Sequence, residues 1–313
     1  MQLEYLDDYL LYLKTNNYSE ETVYSYERDL HIFEKYLNEN KIVFDIMTKK
    51  DIERFKAYLT SRDRKTANSS PTDYKLLERS INRLLSSIRS YIKYLIDMNC
   101  KCALSPESIK LMKTTKKHPQ VAELNELIRL IEYPSKFESD KFVALRNRAM
   151  LELLFSTGMR ISELINLKTV QIDKSGKIFI LGKGKKERFV YLTPRAFKHL
   201  IDYQKVRNII DNKSQFLFIP ISGLNVNKKD KKISTNYLQM KIKQYRQILR
   251  INVPTSAHSL RHGFATYLAE SGANPAAIQI LLGHESLNTT TRYVHASDRY
   301  AEDTHRKFHP LDK

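Results

Sequence analysis

Residues 170–192 read VQIDKSGKIFILGKGKKERFVYL, a stretch that differs in character from the rest of the chain. Two β-prone runs, 170–172 and 178–181, flank the turn sequence at 173–176, and this arrangement indicates a hairpin. A glycine- and lysine-containing segment then leads into a third β-prone run at 188–192. The stretch therefore predicts a small three-stranded sheet.

On both sides of this stretch the sequence predicts helices. All eight glycines lie at Gly158 or later, so the first 157 residues lack the usual residue for positive-φ turns. Up to Met98 four helices are predicted: one with Leu3, Leu6, Leu10 and Leu13 at helical spacing, one after an N-cap at Ser19, one begun by the capping pair Thr48 and Asp51, and one from about Asp73 to Met98. Further helices are predicted over 142–155, after Pro194, between Ala257 and Ser271, and from Asn274 to Gly283. The fold class is therefore mainly α with a small antiparallel β-sheet.

Length and charge point to two domains that meet a polyanion. A chain of 313 residues corresponds to about two domains. Its net charge is +18 and its pI about 9.6, with 42% hydrophobic residues, too many for a disordered basic tail. Residues 1–60 carry a net charge of −4, 61–117 of +8 and 118–313 of +14. Because periodicity is lost from Leu104 onward, we predict an N-terminal domain over 1–103, a linker over 104–119 and a second domain over 120–313.

The two cysteines and the N-terminus indicate a reducing compartment. Cys100 and Cys102 are separated by one residue, a spacing that disfavours a disulfide and does not complete a zinc site. The N-terminus has no basic start followed by an apolar core, and no apolar run approaches membrane-spanning length. The sequence therefore predicts a cytoplasmic protein that does not enter a membrane.

Two clusters of cations are candidate anion-binding sites. Arg79, Arg83, Arg89 and Lys93 follow one predicted helix, either as a solvated face or as a face that tracks phosphates. His258 and Arg261 share one side of the first turn of another helix, where backbone N–H groups and the helix dipole favour an anion. His262 would add a second histidine for zinc. However, Ser259 stands where a metalloprotease needs Glu and no third ligand is indicated, so we predict no metal.

Five motifs occur in order along the second half of the chain. They are TGMRISEL at 157–164, GKGKKER at 182–188, HSLRH at 258–262, LLGH at 281–284 and YVH at 293–295. This series resembles the tyrosine recombinase (phage integrase) family over the whole of 118–313. Chain length and the HRKFHP sequence at 305–310 are most similar to Xer-type (XerC/XerD-like) site-specific recombinases, whereas the N-terminal half matches only in size and helical character. The resemblance implies a two-domain clamp, in which a helical core-binding (SAM-like) domain and a mixed α/β catalytic domain enclose a duplex.

The resemblance also implies which residues act. The catalytic set is Arg160, Lys183, His258, Arg261, His284 and the nucleophile Tyr293, with Glu163 holding the Arg160 guanidinium, and no cofactor is needed. In such a pocket Arg160 and Arg261 would grip the non-bridging phosphate oxygens. Lys183 would protonate the 5′ leaving oxygen. His258 would help remove the phenolic proton and His284 would donate to a phosphate oxygen, although these two roles are interchangeable in detail. Predicted DNA-binding residues are Arg79, Arg83, Arg89, Lys185, Lys186 and Arg188.

The activity implied is site-specific recombination of double-stranded DNA through a 3′-phosphotyrosine and a Holliday junction, with resolution of chromosome or plasmid dimers as its purpose. The partners implied are a recombination site, a homo- or hetero-tetramer with subunits exchanging the tail 296–313, and an FtsK-type DNA translocase as activator. A mobile-element (phage or transposon) integrase, a type IB topoisomerase-like strand swiveller and a catalytically silent DNA-binding protein stay open. The polar segment around 69–71 is longer than an Xer protein requires, and it leaves open an element-encoded enzyme or a system with a single recombinase.

Overall fold

The computed structural model describes residues 3–61, 76–102, 104–114, 120–181, 187–211, 213–226 and 231–283. The chain separates into two compact units, Met1–Lys117 and His118–Lys313. Each unit has its own apolar core, which is what two independently packed domains require. No helix in these described ranges is both long enough and apolar enough to cross a membrane.

The N-terminal unit is helical. Its helices are α1 (Leu6–Thr15), α2 (Glu20–Glu39), α3 (Lys49–Thr60) and α4 (Glu78–Asp97), with short 3-10 turns at Phe44–Ile46 and Pro106–Ser108. Two predicted caps are confirmed: Ser19 Oγ accepts from the Thr22 N–H, and Asp51 Oδ2 accepts from the Thr48 N–H at 2.9 Å. Helix α4 starts later than the predicted Asp73, because the backbone of Leu77 is still extended and Leu77 occupies the N-cap position.

Large aromatic and aliphatic side chains fill the core of this unit. Phe33 of α2 packs against Phe55 of α3 with ring centroids 4.9 Å apart, and Tyr9 meets Tyr91 of α4 edge to face. The first part of the predicted linker also packs here. Leu104 and Ile109 are buried in this core, and the Asn82 side chain forms hydrogen bonds with both backbone groups of Met112.

The C-terminal unit surrounds one buried helix. Its elements are α5 (Leu124–Glu132), α6 (Pro134–Phe137), α7 (Lys141–Thr157), α8 (Ile161–Ile165), β1 (Lys177–Leu181), β2 (Glu187–Tyr191), α9 (Pro194–Ile210), α10 (Thr235–Ile248), α11 (Ala257–Glu270) and α12 (Pro275–Leu282). Helix α7 is buried around most of its circumference, with Arg146, Asn147, Arg148 and Glu152 among its buried residues, and it packs against α6, α9 and α11. The predicted fold class, mainly α with a small antiparallel β-sheet, is confirmed.

The sheet is smaller than predicted. Strands β1 and β2 pair antiparallel with Ile178 opposite Val190 and Ile180 opposite Arg188. The run 170–172 is not a third strand, since Thr169–Gln171 forms a 3-10 turn and Ile172 makes only an isolated bridge to Ile178. The Gln171 side chain explains this difference: its Oε1 accepts from the Lys168 N–H and its Nε2 donates to the Phe179 carbonyl. A side chain that satisfies local backbone groups in this way competes with strand pairing.

Candidate active site

The sharp turn after α7 places Arg160 at the edge of the buried core. Gly158 ends α7 with a φ of +62°, and a Cβ there would stand 2.4 Å from the Phe264 ring, so the position accepts only glycine. Arg160 then caps α8, and its backbone N–H donates to Glu163 Oε2 at 2.7 Å. Arg160 Nη1 donates to Glu163 Oε1 at 3.0 Å. Glu163 therefore binds both the backbone N–H and the guanidinium of Arg160.

The Glu163 carboxylate also receives a second arginine, Arg188 of β2. Arg188 Nη1 and Nη2 donate to its two oxygens at 2.9 and 2.6 Å, a bidentate geometry. Burial opposes the charged form of Glu163. The hydrogen bonds from Arg188 and from the Arg160 backbone outweigh burial and hold the pKa of Glu163 below its ordinary value. The carboxylate is therefore ionised at neutral pH.

The placement of Arg188 differs from the exposed position expected of its predicted role as a DNA-binding residue. Residues alternate between exposed and buried along β2, and Arg188 lies on the buried side with Val190. Only 8% of Arg188 is exposed, and its guanidinium is engaged inside the unit. The physical reason is the two-residue period of a strand, which turns Arg188 towards the core and away from the exposed face that carries Glu187 and Phe189.

The first turn of α11 brings His258 and Arg261 to the same place. Ser256 caps this helix by accepting from the Ser259 N–H, as the predicted start requires. Arg261 is buried, and its Nη1 donates to the Gly158 carbonyl at 2.7 Å. Its Nη2 donates to the Leu282 carbonyl at 2.7 Å, so Arg261 joins the end of α7 to the end of α12. Arg261 and Gly158, which are 103 positions apart in sequence, are thus in contact. Gly158 lies two residues before Arg160.

His258 contacts His262, a residue that the sequence analysis considered only as a zinc ligand. Its Nε2 lies 2.9 Å from Nε2 of His262, one helical turn away, and the rings are perpendicular with centroids 4.4 Å apart. Partial burial, followed by the positive charges of Arg261 and Arg160, lowers the pKa of His258. Burial, followed by His258 and Arg261, lowers the pKa of His262 to about 4. Both imidazoles are therefore neutral at pH 7, and the spacing i, i+4 was the signal for their contact.

The remaining predicted residues of the pocket lie outside the described ranges. These are Lys183, His284 and the nucleophile Tyr293, together with Lys185, Lys186, the tail 296–313 and the polar segment around 69–71. The last described residue is Gly283, which ends α12 with a φ of +64° and precedes His284 in the sequence. Within the same ranges, no group of three or more His, Cys, Asp or Glu side chains is arranged to hold a metal ion.

The predicted cation row on α4, in the N-terminal unit, contains residues in different settings. Arg79 and Lys93 are exposed and Arg89 is partly buried. Arg83 Nη1 lies 2.5 Å from Oδ2 of Asp29, whose side chain is fully buried on α2. Burial raises the pKa of Asp29, and Arg83 and Ser87 oppose this rise. Arg83 therefore has a structural partner as well as an exposed part.

Replacing Arg83 by Met is expected to lower the free energy of unfolding by about 2 kcal/mol, because Asp29 would lose its compensating charge. This is less than the ~3–5 kcal/mol typical of a fully buried pair, since 42% of the Arg83 side chain is exposed. Urea denaturation of the full chain measures the change. Arg79→Met, one turn earlier on the same helix and exposed, is the control and should stay within about 0.5 kcal/mol of wild type. Equal stability of both variants would contradict the assignment.

Comparison with known proteins places these residues in a family. The model of the phage integrase family matches residues 120–299, and that of the phage integrase N-terminal SAM-like domain matches 6–99. Tyrosine recombinase XerC of Leptospira interrogans is 31% identical over 304 residues, which cover 96% of this chain and 92% of that protein. Tyrosine recombinase XerD of Staphylococcus epidermidis is 32% identical over 311 residues, covering 97% and 98%.

Solved structures share the fold. XerH site-specific recombinase bound to difH substrate, in a pre-cleavage complex, has a TM-score of 0.69 at 23% identity, covering 90% of this chain and 78% of that one. The Tn1549 transposon integrase in complex with a circular intermediate DNA also has a TM-score of 0.69, at 18% identity, covering 96% and 98%. One family model spans more than half of the chain, and relatives carrying the family name align with nearly all of it. The chain therefore belongs to the phage integrase family, the tyrosine recombinases.

Proposed function

We propose that the chain cuts and rejoins DNA at a specific site through a 3′-phosphotyrosine at Tyr293, and that it resolves chromosome or plasmid dimers through a Holliday junction. The observation that carries this proposal is the convergence of Arg160, His258 and Arg261 from α8 and α11 on one place. Similarity to XerC and XerD over nearly the full chain favours the Xer type over a mobile-element integrase. Xer-type function further implies a tetramer on two sites and an FtsK-type translocase as activator.

The chemistry follows from the charges that meet there. The phenolic oxygen of Tyr293 attacks the phosphorus, the bond to the 5′ oxygen breaks, and the tyrosine stays linked to the 3′ side. The phenolic proton passes to neutral His258, and Lys183 gives a proton to the departing 5′ oxygen. Arg160 and Arg261 stabilise the charge that develops on the non-bridging oxygens. The reverse sequence rejoins the strand, so no external energy source is required.

A nicked suicide duplex tests the proposal. Its nick lies close to the cleavage site, so the short 5′-hydroxyl fragment diffuses away and the covalent intermediate accumulates. Duplexes from the host chromosome are compared with duplexes from mobile-element ends. A denaturation-resistant adduct on a chromosomal duplex, with DNA attached to the tryptic peptide 293–299, is the expected result. Attachment to another peptide would refute the role of Tyr293, adducts only on element ends would identify an integrase, and relaxation of plasmids without any site would identify a topoisomerase.

The pH dependence of cleavage tests the role of His258. Partial burial and the charges of Arg261 and Arg160 lower the pKa of this ring below its ordinary value of 6.5, so it stays able to accept a proton at lower pH. We expect the single-turnover cleavage rate to hold as the pH falls to 6.5 and to decline only below it. His258→Gln should remove this decline of the rate at low pH, the acid limb of the profile. His31→Gln, on α2 of the other unit, should leave the decline in place. An acid limb centred above 6.5 would contradict the assignment.

A further inference from the structure

Arg188 lies on one element of the C-terminal unit and binds two others. From strand β2 its Nη1 and Nη2 bind the carboxylate of Glu163 in α8, at 2.9 and 2.6 Å. Its Nε donates to the carbonyl of Leu281, in the last turn of α12, at 2.9 Å. All three guanidinium nitrogens therefore have partners, and none of these partners lies on the hairpin itself. This geometry is specific to arginine, because a planar fork can serve a carboxylate and a carbonyl together.

The contact with Glu163 links Arg188 to Arg160. Glu163 accepts from Arg160 at its backbone N–H and at Nη1, and from Arg188 on both oxygens. The carboxylate is only 6% exposed and is shared by two arginines. The position of Arg160 therefore depends on a carboxylate whose orientation Arg188 fixes. Loss of Arg188 would leave Glu163 bound from one side only.

The second contact reaches the residue before His284. A Cβ on Gly283 would stand 3.1 Å from Cδ and 3.2 Å from Nη1 of Arg188, so the guanidinium lies directly against this glycine. Gly283 also adopts a left-handed φ of +64°. In the same turn, Arg261 donates to the Leu282 carbonyl. Two arginines thus bind consecutive carbonyls at the negative end of α12, which fixes where the chain leaves the helix towards His284.

We propose that Arg188 is a positioning residue for DNA cleavage, which couples the β1–β2 hairpin, Arg160 and the end of α12 into one arrangement. The inference rests on the proposed function. Lys183 lies five residues before Arg188 in sequence, between the two strands. Through Arg188 the strand β2, the guanidinium of Arg160 and the last turn of α12 are therefore joined. A displacement of about 1 Å at such a site costs about 10²-fold in rate.

Binding and cleavage measured separately distinguish this role from a phosphate contact. The variants are Arg188→Lys, which keeps the charge but not the fork, Arg188→Gln, Glu163→Gln, and the double variant Arg188→Lys with Glu163→Gln. Each is tested on the nicked duplex that wild type cleaves, with the dissociation constant measured over a range of salt and the adduct rate measured at saturating DNA. Lys185→Gln, predicted to remove a phosphate contact, is the reference for a change in salt dependence.

A positioning role predicts an adduct rate about 10- to 100-fold lower at saturating DNA for Arg188→Gln, Arg188→Lys and Glu163→Gln alike. The slope of log Kd against log salt should match wild type for all of them, and the double variant should be no slower than the slower single variant. A slope reduced by about one for Arg188→Gln, with a wild-type rate at saturating DNA, would make Arg188 a phosphate contact and overturn the proposal. Losses that multiply in the double variant would also overturn it.

Two controls keep the outcome interpretable. Circular dichroism and thermal melting establish that each variant is folded, and Arg188→Lys and Glu163→Gln carry the test if Arg188→Gln does not fold. Absence of an adduct with the wild-type chain would reject the proposed function itself. An adduct formed equally fast by wild type and by folded Arg188→Lys and Glu163→Gln would reject only the role of Arg188.

Discussion

Tyr293→Phe should abolish the covalent protein–DNA adduct while DNA binding is retained. In the proposed mechanism the phenolic oxygen forms the bond to phosphorus, and phenylalanine differs from tyrosine by that atom alone. Loss of a nucleophile lowers a rate by at least about 10⁴-fold, so adducts should fall below detection. One hydroxyl contributes little to an interface dominated by phosphate contacts, and the dissociation constant should change by less than about threefold. Denaturing gels of the suicide-duplex reaction and filter binding measure the two quantities.

The matched control is a tyrosine with a structural role. Tyr267 lies on α11, and its hydroxyl donates to the Ala122 carbonyl at 3.0 Å. Tyr267→Phe should keep the adduct rate and lower the free energy of unfolding by about 1 kcal/mol, the usual contribution of one such hydrogen bond. An undiminished adduct with Tyr293→Phe would show that another nucleophile acts, and peptide mapping would identify it among the 19 tyrosines of the chain.

Local signals in the sequence predicted several helix ends. The predicted caps are found at the start of α2 (Ser19), at the start of α3 (Thr48 and Asp51) and at both ends of α12 (Asn274 and Gly283). Such caps can be predicted because each involves residues within one turn. The run 170–172 was predicted wrongly as a strand. β-prone residues there are outweighed by the Gln171 side chain, which binds Lys168 and Phe179, the second of these across the turn.

The partners of charged residues could not be predicted, because they lie far apart in sequence. Arg83 pairs with Asp29 across 54 positions, so a row of cations on one helix does not show which of them is already neutralised. Arg188 meets Leu281 across 93 positions. However, the burial of the Arg188 side chain could have been inferred, because residues two apart on a strand lie on the same face and Val190 is two residues later. Motif resemblance supplied the pocket residues, and the structure supplied the contacts that orient Arg160, Glu163 and Arg261.

Arg261→Lys should lower the rate of adduct formation at saturating DNA by about 10³-fold, the upper part of the range for a lost transition-state donor. Arg261 donates through separate nitrogens to the Gly158 and Leu282 carbonyls, so its guanidinium plane is fixed before DNA binds. Lysine keeps the charge, but its single nitrogen cannot reproduce two divergent bonds and also serve two phosphate oxygens. The retained charge leaves counterion release unchanged, and the dissociation constant should therefore stay within about threefold of wild type.

Arg195→Lys is the matched control for this substitution. Arg195 on α9 belongs to a separate ion-pair cluster, with Nε 2.8 Å from Glu152 and Nη2 3.1 Å from Glu132, and its replacement should leave the adduct rate unchanged. A weaker dissociation constant with a normal rate for Arg261→Lys would mean that this side chain contributes only to the ground-state complex. A low rate with normal affinity would assign the two carbonyl bonds of Arg261 to catalysis, because in the proposed mechanism they orient the guanidinium towards the additional negative charge that develops while the phosphorus is five-coordinate.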